Sequence, residues 1–281
     1  MIEDVLLVPY SEAPPDPVFV ADLPKLPVDL GRGIRLEQLP RQLVRTIMDA
    51  CERRGDHGAP QSGEHLYSFV RQEPPGASQD QWDPDRRLQE CVAISRLIRP
   101  TSIGFKYAAR LRFDRRGQLH SVTPARNGHL PGRALVTVVD HGDWLNEADV
   151  TALGELWRQA DFFALPESIR RALWLFEHAQ RTPVMSGRWM FVAAGIEALV
   201  TTQTERAATQ FAARFCALAY TFAGLVVPRE TAFRAYARRV TVPHYASLGD
   251  LAGEDRKLYF LLEAVLQTTL RACLSDDEKQ A

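Results

Sequence analysis

The chain is 281 residues long, 46% hydrophobic and 25% charged with a net charge of −1, the balance of an ordinary soluble globular protein of a length that calls for two domains. Its longest apolar run, Phe215 to Val227, is interrupted by Thr221 and ended by Pro228, too short for a membrane span. Met1-Ile2-Glu3-Asp4 is unlike the start of a secretory signal, and Cys51, Cys91, Cys216 and Cys273 form no CxxC pair, so no zinc ribbon or disulfide framework is indicated and a reducing cytoplasm is the expected location.

The first half reads as mixed. Asp4-Val-Leu-Leu-Val-Pro-Tyr10 has the composition of a short strand, and the Pro-rich stretch up to about Leu30 reads as loop. Helical spacing runs from Leu36 to Glu52, while 55–64 and 73–82 are rich in Gly, Pro, Gln and Asp and read as loops. Asp83 and Pro84 then open a helix to Ile98, with Pro100 beyond its end. Phe105, Tyr107, Ala109, Leu111 and Phe113 alternate with polar or small residues, the period of a half-buried strand. Asp114-Arg-Arg-Gly117 is a turn, and Leu119 to Thr123 returns to complete a hairpin. Ala134 to Val139 is a further strand candidate, and Asn146 caps a helix running through Leu153 and Trp157.

From Leu165 onward only helices are expected. Ile169, Leu173 and Phe176 share a face, as do Trp189, Val192, Ile196 and Leu199 in a helix begun at Thr182-Pro183. Thr202-Gln-Thr-Glu205 has the form of a capping box and precedes Phe211, Phe215, Leu218 and Phe222, a helix that ends at Gly224. Pro228 restarts the chain through Phe233 and Tyr236, and a last helix carries Leu258, Leu261, Leu262, Val265 and Leu270. The predicted architecture is therefore α+β: a mixed α/β N-terminal domain over 1–160, then an all-α bundle of about five helices over 161–281. Between Leu165 and His244 ten Arg face five Glu with no Asp or Lys, +5 against −6 for the remainder. That asymmetry suits an anionic partner such as RNA. Only four of the 34 basic residues are Lys, however, and the Arg bias of a GC-rich genome produces the same excess.

The most informative stretch is Tyr236-Ala-Arg-Arg-Val-Thr-Val-Pro-His244. At helical spacing Arg239 and His244 lie within about a turn and a half of each other. An imidazole exchanges a proton near neutral pH, and a guanidinium forks onto two phosphate oxygens without losing its charge. The pair is a minimal kit for cleaving RNA without a metal or other cofactor, although a solvated Arg beside a structural His has the same spacing. Glu197 falls on the apolar face of its helix, where a carboxylate is expected to form a structural ion pair with an Arg. His141-Gly-Asp143 and Asp83-Pro-Asp85 read as polar turns, Cys51 with His57 as a helix end beside a Gly-rich loop, and His178 as a helix-face residue, while Gly31-Arg-Gly33 is not a phosphate loop because no third Gly or Lys-Ser/Thr follows.

The helix order, Arg188-Trp189, the segment Ile196-Glu-Ala-Leu199 and the Tyr-x-x-Arg-x-x-x-x-His pattern resemble the HEPN superfamily, and within it the bacterial ApeA-like branch, over roughly 165–275. The resemblance implies a dimeric, metal-independent endoribonuclease with a toxin or anti-phage role, possessing RNA as substrate and a candidate partner protein encoded nearby. It makes Arg239 and His244 the catalytic pair, with Arg234, Arg238 and Tyr236 assisting RNA binding. Three positions depart from the pattern: Val240 follows the motif Arg, Tyr245 follows the His, and Pro243 precedes it. Pro243 should kink or end the motif helix, because it removes a backbone donor. The kink either aims the imidazole at the Arg or misaligns it, so a catalytically inactive module for RNA binding, dimerisation or protein interaction stays open beside the enzyme.

Overall fold

The computed structural model describes residues 1–9, 23–53, 65–72, 86–101, 103, 107–125, 144–160, 164–182, 184–200, 206–242 and 250–275. The chain forms two compact units, Met1–Arg158 and Gln159–Ala281, and the architecture is α+β, with a sheet in the first and helices in the second.

Among the described residues the sheet of the N-terminal unit has six strands, β1 (Ile2–Pro9), β2 (Val28–Gly31), β3 (Ile34–Glu37), β4 (His65–Gln72), β5 (Ala108–Phe113) and β6 (Leu119–Pro124), in the order β2-β3-β4-β1-β5-β6 with every pairing antiparallel. β1 is central because Val5-Leu6-Leu7-Val8 is apolar on both faces and all four are buried. On one face Val5 and Leu7 join Val70, Ala109 and Leu111 against Val44, Ile47 and Met48 of helix α1 (Arg41–Glu52). On the other, the register sets Leu6 opposite Phe69 and Ala108, and Asp4 opposite Arg110. Arg110 donates to both carboxylate oxygens of Asp4 at 2.7 and 3.0 Å, and both residues are buried. A buried carboxylate needs such a fork, since an unpaired one costs several kcal/mol, roughly 3–5 when a partner is removed.

Two sequence expectations are corrected by this sheet. The stretch up to Leu30 is not loop throughout, because Val28–Gly31 pairs with Ile34–Glu37, and Leu36 therefore belongs to β3 while the helix begins only at Arg41. Gly31 makes that hairpin possible: its φ is +92°, and a Cβ there would meet the Arg158 Cγ at 2.9 Å. Its carbonyl accepts from the Trp157 indole at 3.1 Å, and the Asp29 carbonyl accepts from Arg158 at 3.0 Å. β4 had no strand expectation at all, because its first six residues are buried on both faces and show no alternation. The hairpin from β5 to β6 turns at Asp114, whose carboxylate accepts from the Arg116 and Gln118 amides, as the Asp-Arg-Arg-Gly turn required.

Two further helices belong to this unit, α2 (Arg86–Ile98) and α3 (Glu147–Gln159). α3 starts as read from Asn146: the Asn146 carboxamide accepts from the Asp149 amide at 2.9 Å, and Asp149 reciprocates at 3.0 Å. The predicted Asp83 cap, the loops 55–64 and 73–82, the strand candidate 134–139 and the capping box 202–205 lie outside the described residues.

The C-terminal unit holds α4 (Glu167–Arg181), α5 (Met185–Val200), α6 (Ala207–Ala223), α7 (Arg229–Arg238) and α8 (Gly253–Leu274). The stripes expected to be buried supply its core, with Phe176, Trp189, Val192, Ile196, Phe211, Phe215, Leu262, Val265 and Leu270 all buried. α5 sits close to α8, since a Cβ on Gly195 would lie 2.8 Å from Leu266. α6 stops at Gly224, which takes φ +63° while the Leu225 amide reaches back to the Ala219 carbonyl at 2.9 Å. Among the described residues no helix is long and apolar enough to cross a membrane.

His65 opens β4 buried, with no partner for its Nε2 among the described residues, and burial lowers its pKa to about 4. The unfolded chain therefore takes up this proton near pH 6.5 while the folded chain does not until about pH 4, so stability must fall as pH drops through that window. Urea unfolding of His65→Leu should lack about 2–3 kcal/mol of the loss that wild type shows between pH 7 and pH 4. Equal pH slopes for the two proteins would show that His65 does not carry the effect.

Candidate functional site

The motif region is built onto a rigid support. α7 buries Ala232, Ala235 and Tyr236, and the Ala235 carbonyl accepts a 2.8 Å hydrogen bond from the Trp189 indole of α5. Trp189 is itself fully buried against Tyr259 of α8, with ring centroids 5.8 Å apart. Two turns along α5, Glu197 accepts a 2.6 Å hydrogen bond from the Tyr236 hydroxyl. Phe211 of α6 lies against the Tyr236 ring at 4.5 Å between centroids. Three helices thus fix the orientation of one phenol.

Arg239 completes the cluster. It caps α7, with its guanidinium carbon 3.4 Å from the Tyr236 ring centroid and Nη1 donating to the Tyr236 carbonyl at 3.3 Å. A cation over an aromatic face is worth about 0.5–2 kcal/mol, and a cation at a helix C-terminus is favoured by the dipole. No carboxylate among the described residues pairs with Arg239. Its two neighbours differ. Arg238 is forked onto Asp255 at 2.6 and 3.0 Å, and Arg234 faces Glu254 at 3.4 Å in an exposed pair.

Several sequence assignments change accordingly. Tyr236 is only 5% exposed and its ring lies against Arg239 and Phe211, so it is a support for Arg239 rather than a surface for a base. Arg238 is held by Asp255 instead of standing free for RNA. Glu197 forms no ion pair among the described residues; its partner is the neutral Tyr236 hydroxyl. The motif also does not lie along one helix. α7 ends at Arg238, five residues before Pro243, and Thr241 and Val242 both bond back to the Arg238 carbonyl in a tight turn. His244, with Pro243 and Tyr245, lies outside the described residues.

Tyr236 has its pKa raised, first by burial and then by Glu197, with Arg239 acting in the opposite direction. The phenol therefore stays protonated at neutral pH and continues to donate to Glu197. No group of three His, Cys, Asp or Glu side chains among the described residues is arranged to hold a metal ion. Behind the site lies a second polar cluster that the sequence did not signal. Arg188 of α5 is fully buried and donates to the Thr182 and Gln180 carbonyls at 2.8 and 3.1 Å, closing the C-terminus of α4. Glu263 accepts from Gln180 at 2.7 Å and from Tyr259 at 2.9 Å. The only available signal was the arginine before Trp189, and an Arg at one position of an apolar helix reads equally as a solvated residue.

Comparison with known proteins finds no matching family model, curated protein or solved structure.

The Tyr236–Glu197 bond is the testable hinge of this geometry. Tyr236→Phe leaves a partly buried carboxylate without its donor, for which we expect a loss of about 1–3 kcal/mol in urea unfolding. Combined with Glu197→Gln, the two substitutions should be non-additive by more than about 0.5 kcal/mol. Strict additivity would mean that the bond is not formed in solution.

Proposed function

We propose that the protein is a metal-independent endoribonuclease in which Arg239 binds the scissile phosphate and His244 transfers the proton, acting as a toxin or anti-phage effector. The observation that carries this reading is Arg239 itself: a guanidinium fixed on the Tyr236 ring, five residues before a histidine, and paired with no carboxylate among the described residues. In the reaction the 2′-oxygen attacks phosphorus as the bond to the 5′-oxygen breaks, leaving a 2′,3′-cyclic phosphate and a 5′-hydroxyl. One proton leaves O2′ and one reaches O5′, work for imidazole groups near their pKa. Negative charge grows on the phosphate oxygens in between, and a preorganised guanidinium stabilises it. A concerted displacement needs a base at O2′ and an acid at O5′ at the same moment, and one Arg–His pair offers too few groups for both, so a two-fold homodimer that brings two motifs together is part of the proposal.

A second reading is a non-catalytic module for RNA binding, dimerisation or protein interaction. It is favoured by Val240, which is 76% exposed directly after Arg239, and by the commitment of Arg238 to Asp255.

Purified full-length protein incubated with mixed RNA in EDTA distinguishes the two. Cleavage should persist in the chelator, and His244→Ala and Arg239→Ala should each lower it by about 10²-fold or more, with Arg239→Lys rescuing only partly because an ammonium cannot fork onto two oxygens. Pro243→Ala should change the rate if the proline sets the imidazole position. Identical residual cleavage in wild type and all variants would leave the non-catalytic module. Light scattering at high micromolar concentration should report a dimer, and a strict monomer would remove the paired-motif arrangement.

A further inference from the structure

On α4, Arg170, Arg171, Trp174 and His178 follow one another at the spacing that places side chains on one face of a helix. Trp174 is 55% exposed, an uncommon state for the largest apolar side chain. It is nevertheless not loose. The His178 ring lies against it at 3.7 Å between centroids and 30° between planes, and Phe191 of α5 supports His178 from behind at 5.7 Å, edge to face. The His178 Nδ1 is 3.0 Å from the Trp174 carbonyl; a carbonyl only accepts, so Nδ1 carries the proton and the ring is fixed in both rotation and tautomer. The result is a pre-ordered aromatic ladder, Phe191–His178–Trp174, ending in an accessible indole. About one helical turn further, some 5.4 Å, stand two exposed guanidinium groups for which no carboxylate partner is found among the described residues.

We propose that this face is a stacking site for an unpaired base of single-stranded RNA, with Trp174 under the base and Arg170 and Arg171 on the adjoining phosphates. Single-strand binding elsewhere uses the same two elements, a flat aromatic surface open to any base and cations that follow the backbone. Charge selects this occupant over an apolar protein surface, because burying Arg170 and Arg171 unpaired would cost more than the indole area returns. Ordering costs are small, since the ladder already holds the rings in place. The inference rests on RNA being the ligand of the site proposed above, but it assigns a separate contact and can fail separately.

The probe is a short fluorescent single-stranded oligonucleotide with 2′-O-methyl groups, which cannot be cleaved through its 2′-oxygen, so binding is read without turnover. Full-length wild type should bind it, and Trp174→Ala should weaken binding by roughly ten- to a hundred-fold, the value of one base stacked on an aromatic ring. Trp174→Phe should keep most of the affinity. Arg170→Gln with Arg171→Gln should also weaken binding and reduce the salt slope by about 1.4, as expected for two phosphates on a single strand. Equal binding by Trp174→Ala and wild type overturns the stacking site while leaving the nuclease reading to its own cleavage assay. No binding by wild type at low salt overturns it as well. A changed sedimentation behaviour of Trp174→Ala with unchanged RNA affinity would assign the face to a protein contact instead. Loss of binding in Trp174→Ala, together with no cleavage of unmodified RNA by wild type, would uphold the stacking site and remove the nuclease.

Discussion

A guanidinium does not give up its proton in a protein interior, so Arg188 can be buried only where acceptors surround it. The helical unit meets that demand at Nε and Nη2, while Nη1 is buried with no hydrogen-bond partner among the described residues. The last carbonyls of α4 turn toward Arg188 at 2.8 and 3.1 Å, which also supplies partners that a helix C-terminus otherwise lacks. Gln180, Tyr259 and Glu263 then form a connected set between α4 and α8, and burial pushes the Tyr259 hydroxyl well above its usual range, with Glu263 adding and Arg188 opposing. The next residue in the chain is Trp189, whose indole holds α7 at Ala235. Through one pair of neighbouring residues, the packing of α4, α5 and α8 sets the position of the helix that ends in Arg239.

The arginine excess of the C-terminal unit is therefore partly structural. Arg188 closes α4, Arg214 of α6 donates to the Val200 carbonyl at the end of α5, and Arg239 caps α7, so three of the ten cations cap helices. Arg181 pairs with Glu177 one turn away at 2.6 Å. Arg234 and Arg238 pair with Glu254 and Asp255 of α8, which lie just beyond His244 and so outside the stretch whose charge read as +5. Counting along the chain separates charges that the fold brings together. What remains facing solvent without a carboxylate, Arg170 and Arg171 on α4 among them, is a smaller cation set than the sequence suggested.

Sequence patterns were legible where one period ruled a segment. The apolar stripes of α4, α5, α6 and α8, the Gly224 stop, the Asn146 cap and the β5–β6 turn each follow from local chemistry, and each is present. β4 was hidden because a strand buried on both faces loses its alternation, and His65 and Ser68 inside it look polar until the sheet encloses them. The β2–β3 hairpin was hidden behind Pro24 and Pro27, although Gly31 and Gly33 mark its turn. At the site, Arg239 and Glu197 stood out from the chain, but their partners did not. Glu197 was expected to need a cation; a phenol two helices away in sequence satisfies it. Such pairings depend on tertiary register, which spacing does not encode.

The end of α7 imposes a constraint on any anion that approaches Arg239. A helix C-terminus carries partial negative charge, so a phosphate arriving there is repelled by the same carbonyls that favour the cation. Three local features reduce that opposition. The turn of Thr241 and Val242 ties up the Arg238 carbonyl, and Arg239 Nη1 takes the Tyr236 carbonyl. The third is the state of Tyr236. An ionised phenolate beneath the guanidinium would hold it more tightly than a neutral ring and would compete with phosphate for its charge. Burial and Glu197 raise the Tyr236 pKa, keeping the ring neutral and the hydroxyl turned away toward the carboxylate. Glu197 thus acts on Arg239 without touching it: by holding the phenol proton, it keeps the ring beneath the guanidinium neutral and leaves the cation's charge uncompensated by that ring.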